Sequence, residues 1–333
     1  MTDELTVGLV GAGLIAGVHA HAYRASPGVR LVGVVDPVEE KARRIAEQHG
    51  AEVVADLDAL LGLGVDVVDV CTPPQHHAAA ALAALHAERH VICEKPLART
   101  LEDARRVVEA AASAAGLLMV GQVSRYEPDH RAACDVVSSG QIGEVRQVTH
   151  STTSALPTWS EGGWLTDHEL SGGPMLDQAV HSFDFARQAI GSPAVRVHCM
   201  AADSPAGPAT YAVATVRYEN GAIAHVECSW AHPPASGFRL AADVVGTTGR
   251  ISWSNDQLMS GVLHRSAGQT EWWDALGDRG FTDELRDFFD AVRAGGPSPV
   301  PADEAMESLR TALAAVESAR TGRTIDLTSW ETA

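Results

Sequence analysis

Cysteine is scarce in this 333-residue chain. Its five residues, Cys71, Cys93, Cys134, Cys199 and Cys228, are odd in number and far apart. They offer neither a disulfide framework nor paired zinc spacing, and Cys71 and Cys93, which end apolar runs, read as small core residues. Positive charge is scarce too: 25 Lys and Arg face 43 Asp and Glu, for a formal net charge of −18. That balance argues against electrostatic binding of nucleic acid or of an anionic membrane. No apolar run approaches the ~20 residues of a membrane span. The opening Met1-Thr2-Asp3-Glu4-Leu5 is acidic where a signal peptide needs a basic stretch. Internal repeats and low-complexity tracts are missing, and the histidines are scattered rather than set at ligand spacing. The expectation is a cytoplasmic, reduced protein with no metal site.

What is present is alternation. The length exceeds one hydrophobic core and suits two domains, expected at 1–122 and 123–333. Leu5 to Val10 is a continuous apolar run, as for a strand buried on both faces. Gly11-Ala12-Gly13-Leu14-Ile15-Ala16 follows and opens a helix to about Tyr23. The second strand, Leu31 to Val35, stops at Asp36, 20 residues beyond Ala16. Gly11 permits the tight turn, Gly13 lets a pyrophosphate approach the backbone, and Ala16 is small enough for helix–sheet packing. Asp36 would accept hydrogen bonds from ribose hydroxyls and repel a 2'-phosphate, which favours NAD over NADP. Further strands are expected at Val53-Val54, Val65–Cys71, Val91–Cys93 and Leu117–Val120, with helices between them. This is the pattern of a doubly wound parallel α/β sheet.

After Gly121 the period changes. Pro128 to Ser139 reads as a helix and Glu144 to Thr153 as a strand, followed by an irregular stretch, 154–173, with Trp159 and Trp164. Pro174 to Ile190 reads as one helix, with proline in its first turn and Gly191 at its C-cap. Alternating strands are expected at Ala194–Ala202, Thr210–Tyr218, Ala222–Ala231, Phe238–Val245 and Arg250–Trp253, then closing helices at Phe281–Arg293 and Ala302–Thr321. The second domain is thus α+β with a large, open-faced, mainly antiparallel sheet. One face of such a sheet needs covering, so a homodimer or homotetramer is expected.

The candidate chemistry starts at Val91-Ile92-Cys93-Glu94-Lys95-Pro96, a short strand that ends in a carboxylate and an amine. Lys95 lies where open α/β sheets bind ligands, and the proline keeps it extended. On the Pro174–Ile190 helix, Asp177 and His181 are four residues apart and share a face, with Asp184 and Gln188 continuing the stripe. A carboxylate can orient a histidine as a proton carrier near neutral pH. The competing reading is an ordinary solvated polar face. His76 and His77, adjacent at a helix start, suit a cap or cofactor-edge role. His19 and His21 read as packing or surface residues. Trp159 and Trp164 are sugar-stacking or loop-anchoring residues, and Arg125-Tyr126 follows the last parallel strand, near the expected cleft.

With these pieces placed, the chain resembles the Gfo/Idh/MocA family of NAD(P)-dependent oxidoreductases over essentially its full length. The matching residues are Gly11-Ala12-Gly13 with Asp36, Thr72-Pro73 followed by His77, and Glu94-Lys95-Pro96. Further matches are Arg125-Tyr126-Glu127-Pro128, Gly172-Gly173-Pro174-Met175-Leu176-Asp177 leading to His181, and Val245-Gly246-Thr247-Thr248-Gly249. The resemblance implies a Rossmann domain and a sheet that builds oligomers. It implies cofactor contacts from Gly11, Gly13, Leu14, Ile15, Asp36, Thr72, Pro73, His77, Glu94 and Lys95. It also implies a catalytic group of Lys95, Asp177 and His181, oxidising or reducing a carbinol in a sugar, polyol or inositol, with Arg125, Tyr126 and Trp164 as substrate candidates. A cis peptide is implied at Lys95–Pro96. Either His181 or Lys95 would serve as the proton acceptor. Pro174 stands where the family has a third glycine, and Gln178-Ala179 follow Asp177, which bears on substrate orientation. The alternatives are a redox-neutral, NAD-dependent glycosidase or lyase, and a non-catalytic NAD(P) sensor.

Overall fold

A computed structural model describes residues 4–158, 160–204, 207–255, 261–265, 270–273 and 280–331. Trp159 lies outside the described residues. The chain forms two compact units, residues 1–126 with 279–306, and residues 127–278 with 307–333. The single boundary expected after residue 122 therefore misses a return: the first closing helix packs with the first unit.

The first unit is built on six parallel strands, β1 (Leu5–Val10), β2 (Val29–Val35), β3 (Glu52–Val53), β4 (Val67–Val70), β5 (His90–Glu94) and β6 (Leu118–Gly121), in the order β3-β2-β1-β4-β5-β6. Helices α1 (Leu14–Arg24), α2 (Glu39–His49), α3 (Leu57–Gly62), α4 (His77–His86) and α5 (Leu101–Ser113) alternate with them. The order reverses between β1 and β4, and such a reversal leaves a crevice at the carboxyl ends of the strands. Val67, Val68 and Val70 on β4 are fully buried, as both faces of a parallel sheet require. The helix starts are cut by caps: the hydroxyl of Thr100 accepts the Asp103 N–H at 3.1 Å, and Asp56 takes the Ala59 N–H at 2.8 Å. Helix α10 (Gly280–Ala294) returns to this unit and lays Phe288 and Phe289, both fully buried, against it, with Phe289 edge-on to Tyr23 at 6.0 Å. Each such ring contributes roughly 1.5–3 kcal/mol of apolar burial.

The second unit carries a nine-stranded sheet. Its strands are β7 (Val145–Thr153), β8 (Ala194–Ser204), β9 (Gly207–Tyr218), β10 (Ile223–Ser229), β11 (Arg239–Gly246), β12 (Gly249–Ser254), β13 (Gly261–Arg265), β14 (Thr270–Trp273) and β15 (Ile325–Asp326), in the order β14-β13-β12-β11-β7-β10-β9-β8-β15. All described pairings are antiparallel except β10 with β7. The five strands expected after residue 191 are present within a few residues of their predicted ends, and β13, β14 and β15 are additions. Asn220-Gly221 makes the β9–β10 turn, with Gly221 at φ +88° and the Asn220 side chain accepting the Ala222 N–H at 3.0 Å.

One face of this sheet is dry. Cys199, Ala214, Val216 and Val226 are buried, as are Val180 and Phe183 of α9 (Ala179–Ile190). The opposite face presents Met200, Tyr211 and Ile223, which are 67, 36 and 38% exposed. Helices α6 (Pro128–Ser138), α7 (His168–Ser171), α8 (Gly173–Asp177) and α11 (Ala302–Thr321) complete the helical set. The helix expected over Pro174–Ile190 is two helices, because Gln178 breaks the ladder. Gln178 keeps a right-handed helical conformation, at φ/ψ −98°/−49°, and the His181 N–H reaches back three residues, to the Gln178 carbonyl at 3.2 Å.

Candidate active site

In the first unit the candidate residues begin at the β1–α1 loop. Gly11 holds φ +91°, and a Cβ there would sit 2.7 Å from the Cys71 carbonyl, so only glycine fits. Gly13 is different. It is the N-cap of α1 with no side-chain cap, and a Cβ on it would meet nothing within 4 Å. The chain's own packing does not demand that glycine; the open space over an uncapped helix N-terminus is what an anionic group needs. Ala16, in the third small position, is fully buried. Asp36 ends β2 with both carboxylate oxygens engaged, Oδ2 by the Ala12 N–H and Oδ1 by the Val38 N–H, each at 2.8 Å. These bonds fix the carboxylate beside the loop while leaving a second lone pair on each oxygen.

Around this loop lie Leu14, 65% exposed although apolar, and the partly buried Ile15. At the end of β4, the Thr72 hydroxyl is buried without a partner, and Pro73 is extended. An orphaned hydroxyl, an exposed leucine and an unfilled glycine cradle at one sheet edge fit a bound dinucleotide.

His77 does not fit that role. It is buried, with Nδ1 2.7 Å from the Pro96 carbonyl and Nε2 2.7 Å from the Thr72 carbonyl, so no ring nitrogen is left for a cofactor. Burial pulls its pKa down, while two carbonyls, which only accept, favour an N–H on each nitrogen. It is a brace between two strand ends.

Lys95 follows β5, partly buried, and the Lys95–Pro96 peptide is cis, as the resemblance implied. Glu94 is 7% exposed and its Oε2 accepts the Lys95 N–H at 3.1 Å. Arg125 is ion-paired to Glu304 at 2.9 Å with its side chain 12% exposed, and Tyr126 is buried. Neither is a free surface residue awaiting a substrate.

In the second unit, Asp177 is the last residue of α8 and His181 lies in the first turn of α9, both partly buried. Gly172 and Gly173, at φ +78° and +69°, lead in, and the His168 ring comes within 3.2 Å of where a Gly173 Cβ would stand. Gln178, the departure from the family pattern, donates from Nε2 to the Ser154 hydroxyl at 3.0 Å. The stripe beyond His181 is not a solvated face. Asp184 is fully buried, accepting from Gln188 at 2.7 Å and from the Ser308 hydroxyl at 3.1 Å. Trp164 is partly buried in the 3-10 turn Glu161–Thr166.

One cluster escaped the sequence reading. His19, expected as packing or surface, is fully buried between carboxylates: Nδ1 lies 2.8 Å from Asp69 Oδ2, and Nε2 lies 3.2 Å from Glu94 Oε1. The Tyr23 hydroxyl also donates to Asp69 Oδ2, and the Cys71 thiol lies 3.5 Å from Oδ1. The signal was an aspartate inside an otherwise apolar parallel strand, which has to be partnered from the facing helix.

Comparison with known proteins agrees with these features. The Gfo/Idh/MocA model described as an oxidoreductase family with an NAD-binding Rossmann fold matches residues 5–122, and the GFO/IDH/MocA C-terminal domain model matches residues 130–252. The chain belongs to the Gfo/Idh/MocA oxidoreductase family. Among relatives of this Gfo/Idh/MocA protein, the D-glucoside 3-dehydrogenase of Escherichia coli K12 is 36% identical over 259 residues, 69% of this chain and 71% of that one. The inositol 2-dehydrogenase of Rhizobium meliloti is 28% identical over 330 residues, 96% of this chain and 98% of that one. The crystal structure of GenD2 from gentamicin A biosynthesis, in complex with NAD, has a TM-score of 0.86 at 28% identity, covering 98% of this chain and 97% of that one. The protein is an NAD-binding oxidoreductase of CH–OH groups. These relatives give no support to the redox-neutral or sensor alternatives. No helix among the described residues is long and apolar enough to cross a membrane.

Proposed function

We propose that this protein is an NAD-dependent dehydrogenase of a sugar, polyol or inositol, with Lys95, Asp177 and His181 as its catalytic residues. The observation that carries the reading is Lys95: an amine at the carboxyl end of β5, one residue from a buried carboxylate that fixes its backbone. The names of the relatives support a polyhydroxylated substrate. NAD over NADP is supported at Asp36, whose charge would oppose a 2'-phosphate. Arg43, on the helix that follows β2, is paired to Glu39 and Glu40.

The bound dinucleotide supplies the hydride acceptor, C4 of its nicotinamide. His181 takes the hydroxyl proton of the substrate. The Lys95 ammonium donates to the developing alkoxide, an electrostatic contribution strongest where water is excluded. Asp177 orients His181. Exposed Met200, Tyr211 and Ile223 on the open sheet face support a homodimer or homotetramer, and the scarcity of cysteine suits a reducing cytoplasm.

The test is absorbance at 340 nm across polyols, aldoses and inositols with NAD and with NADP. Lys95→Ala should lose turnover by roughly 10²–10⁴-fold, the range of a positioned acid–base or electrostatic group, and far more than it weakens NADH binding. Turnover near wild type in that variant would overturn the assignment. His181→Ala should lose turnover as well; if it does not, Lys95 is the base.

A further inference from the structure

We infer that His19 is a positioning residue for Lys95: a buried imidazolium that bridges Asp69 and Glu94 and so holds the strand end from which Lys95 projects. The inference rests on the reading of Lys95 given above.

The charges around His19 come from every element packed against it. Strand β4 brings Asp69 and, just beyond it, Cys71; β5 brings Glu94; α1 itself brings Tyr23; α10 brings Glu284; and the turn Val123–Tyr126 brings Arg125. Three carboxylates are thus sequestered, Asp69 and Glu284 at 0% exposure and Glu94 at 7%. Left ionised without a counter-charge, such a group is costly, so each must be protonated or paired.

Their partners sort them. Both oxygens of Glu284 are buried with no hydrogen-bond partner. Burial, together with the charge of Glu94, holds Glu284 well above the usual carboxylate range, as a neutral acid. Asp69 takes three donors, His19, Tyr23 and Cys71. Burial keeps the Tyr23 hydroxyl and the Cys71 thiol protonated, so both donate without adding charge. Asp69 and Glu94 remain, and His19 stands between them with one nitrogen toward each. Burial opposes a charge on this ring, and the Asp69 carboxylate, hydrogen-bonded to Nδ1, raises its pKa above the ordinary imidazole value.

The consequence for the site runs through Glu94. Its Oε1 lies 3.2 Å from His19 Nε2 without hydrogen-bond alignment, so that contact is ionic. Its Oε2 accepts the backbone N–H of Lys95. One carboxylate therefore couples the buried cation to the backbone of the proposed catalytic lysine. An unpaired Glu94 would turn toward water, and that movement releases the Lys95 N–H.

Three measurements test this. First, ¹⁵N–¹H NMR of the histidine rings should show both His19 nitrogens protonated from pH 6 to 8; a neutral tautomer at pH 7 would overturn the inference whatever Lys95 does. Second, His19→Gln should lower kcat at least tenfold with KM for NAD changed less than threefold. Wild-type kcat in a folded His19→Gln protein would also sink it. Third, His19→Gln and Glu94→Gln should be non-additive: the double variant, in which no charge is left unpaired, should regain at least fivefold in kcat over His19→Gln. Additive losses would assign His19 a packing role only. If His19→Gln does not fold, the NMR result on the wild-type protein decides. An active Lys95→Ala variant would end the catalytic reading of Lys95 while leaving the charge on His19 standing.

Discussion

Acid should loosen the second unit through one buried ring. His130 on α6 and His150 on β7 are 2 and 1% exposed, with their Nε2 atoms 3.2 Å apart. His150 Nδ1 lies 2.8 Å from the hydroxyl of Ser182, the residue after His181 on α9. Phe185 and Trp253 pack edge-on against His130 at 4.9 and 5.4 Å. Burial in these aromatic walls pushes the His130 pKa down to about 4, and burial with its neighbour lowers His150 too. An unfolded histidine titrates near 6.5, so between the two values the unfolded chain binds a proton that the folded ring refuses. Stability is therefore full above pH 6.5, falls as the pH drops toward 4, and levels off below. For His130 alone the loss from pH 7 to pH 5 is ~2 kcal/mol. The assay is urea unfolding followed by tryptophan fluorescence at pH 7, 6 and 5, for wild type and His130→Gln. Groups remote from His130 titrate in both proteins and cancel in the difference, while His150, relieved of its neighbour, changes in the same direction, so the variant should lose at least ~2 kcal/mol less over that range. Parallel declines would refute the reasoning. Because Ser182 adjoins His181, acid should also blunt turnover before the protein unfolds.

Further predictions rest on single contacts. Gly11→Ala forces a Cβ to 2.7 Å from the Cys71 carbonyl at φ +91° and should cost ~1–3 kcal/mol in thermal or urea stability. Gly13→Ala adds a Cβ that meets nothing within 4 Å, so its melting temperature should hold within a few degrees while NADH affinity, read by fluorescence titration, falls at least tenfold. A stability loss in the second variant without an affinity loss would show that the cradle belongs to packing. Phe289→Ala empties a fully buried site against Tyr23 and should cost about 3–5 kcal/mol, measured by urea unfolding.

Much of this was legible because it is local. Each strand and helix of the first unit is a short run with its own period, and Gly11, Ala16 and Asp36 are forced by geometry within 26 residues of one another. The long strands of the second unit read equally well, since alternation survives where one face is dry. What failed is what depends on a neighbour far along the chain. The break at Gln178 is invisible in a sequence whose apolar spacing continues straight through it, from Leu176 to Val180 and Phe183. The helix α10 carries an amphipathic pattern that says it packs, though nothing in that pattern says that it returns to α1, more than 250 residues earlier.

The polar interior shows the same limit from the other side. Asp69 and Asp184 each look like surface residues to a reader of composition, and both are fully buried. A buried carboxylate costs several kcal/mol unless donors meet it, so each such residue implies partners; for Asp69 they are His19 and Tyr23, and for Asp184 they are Gln188 and Ser308. Three of these four partners lie on helices that packing brings alongside, at separations of 46 to 124 residues, where no sequence motif reaches. An aspartate in the middle of an apolar parallel strand is therefore the informative symbol: it cannot be solvated there, and the chain keeps it only if a cation or a hydroxyl is delivered to it. In this protein that cation is His19, and its second nitrogen is turned to the carboxylate beside Lys95.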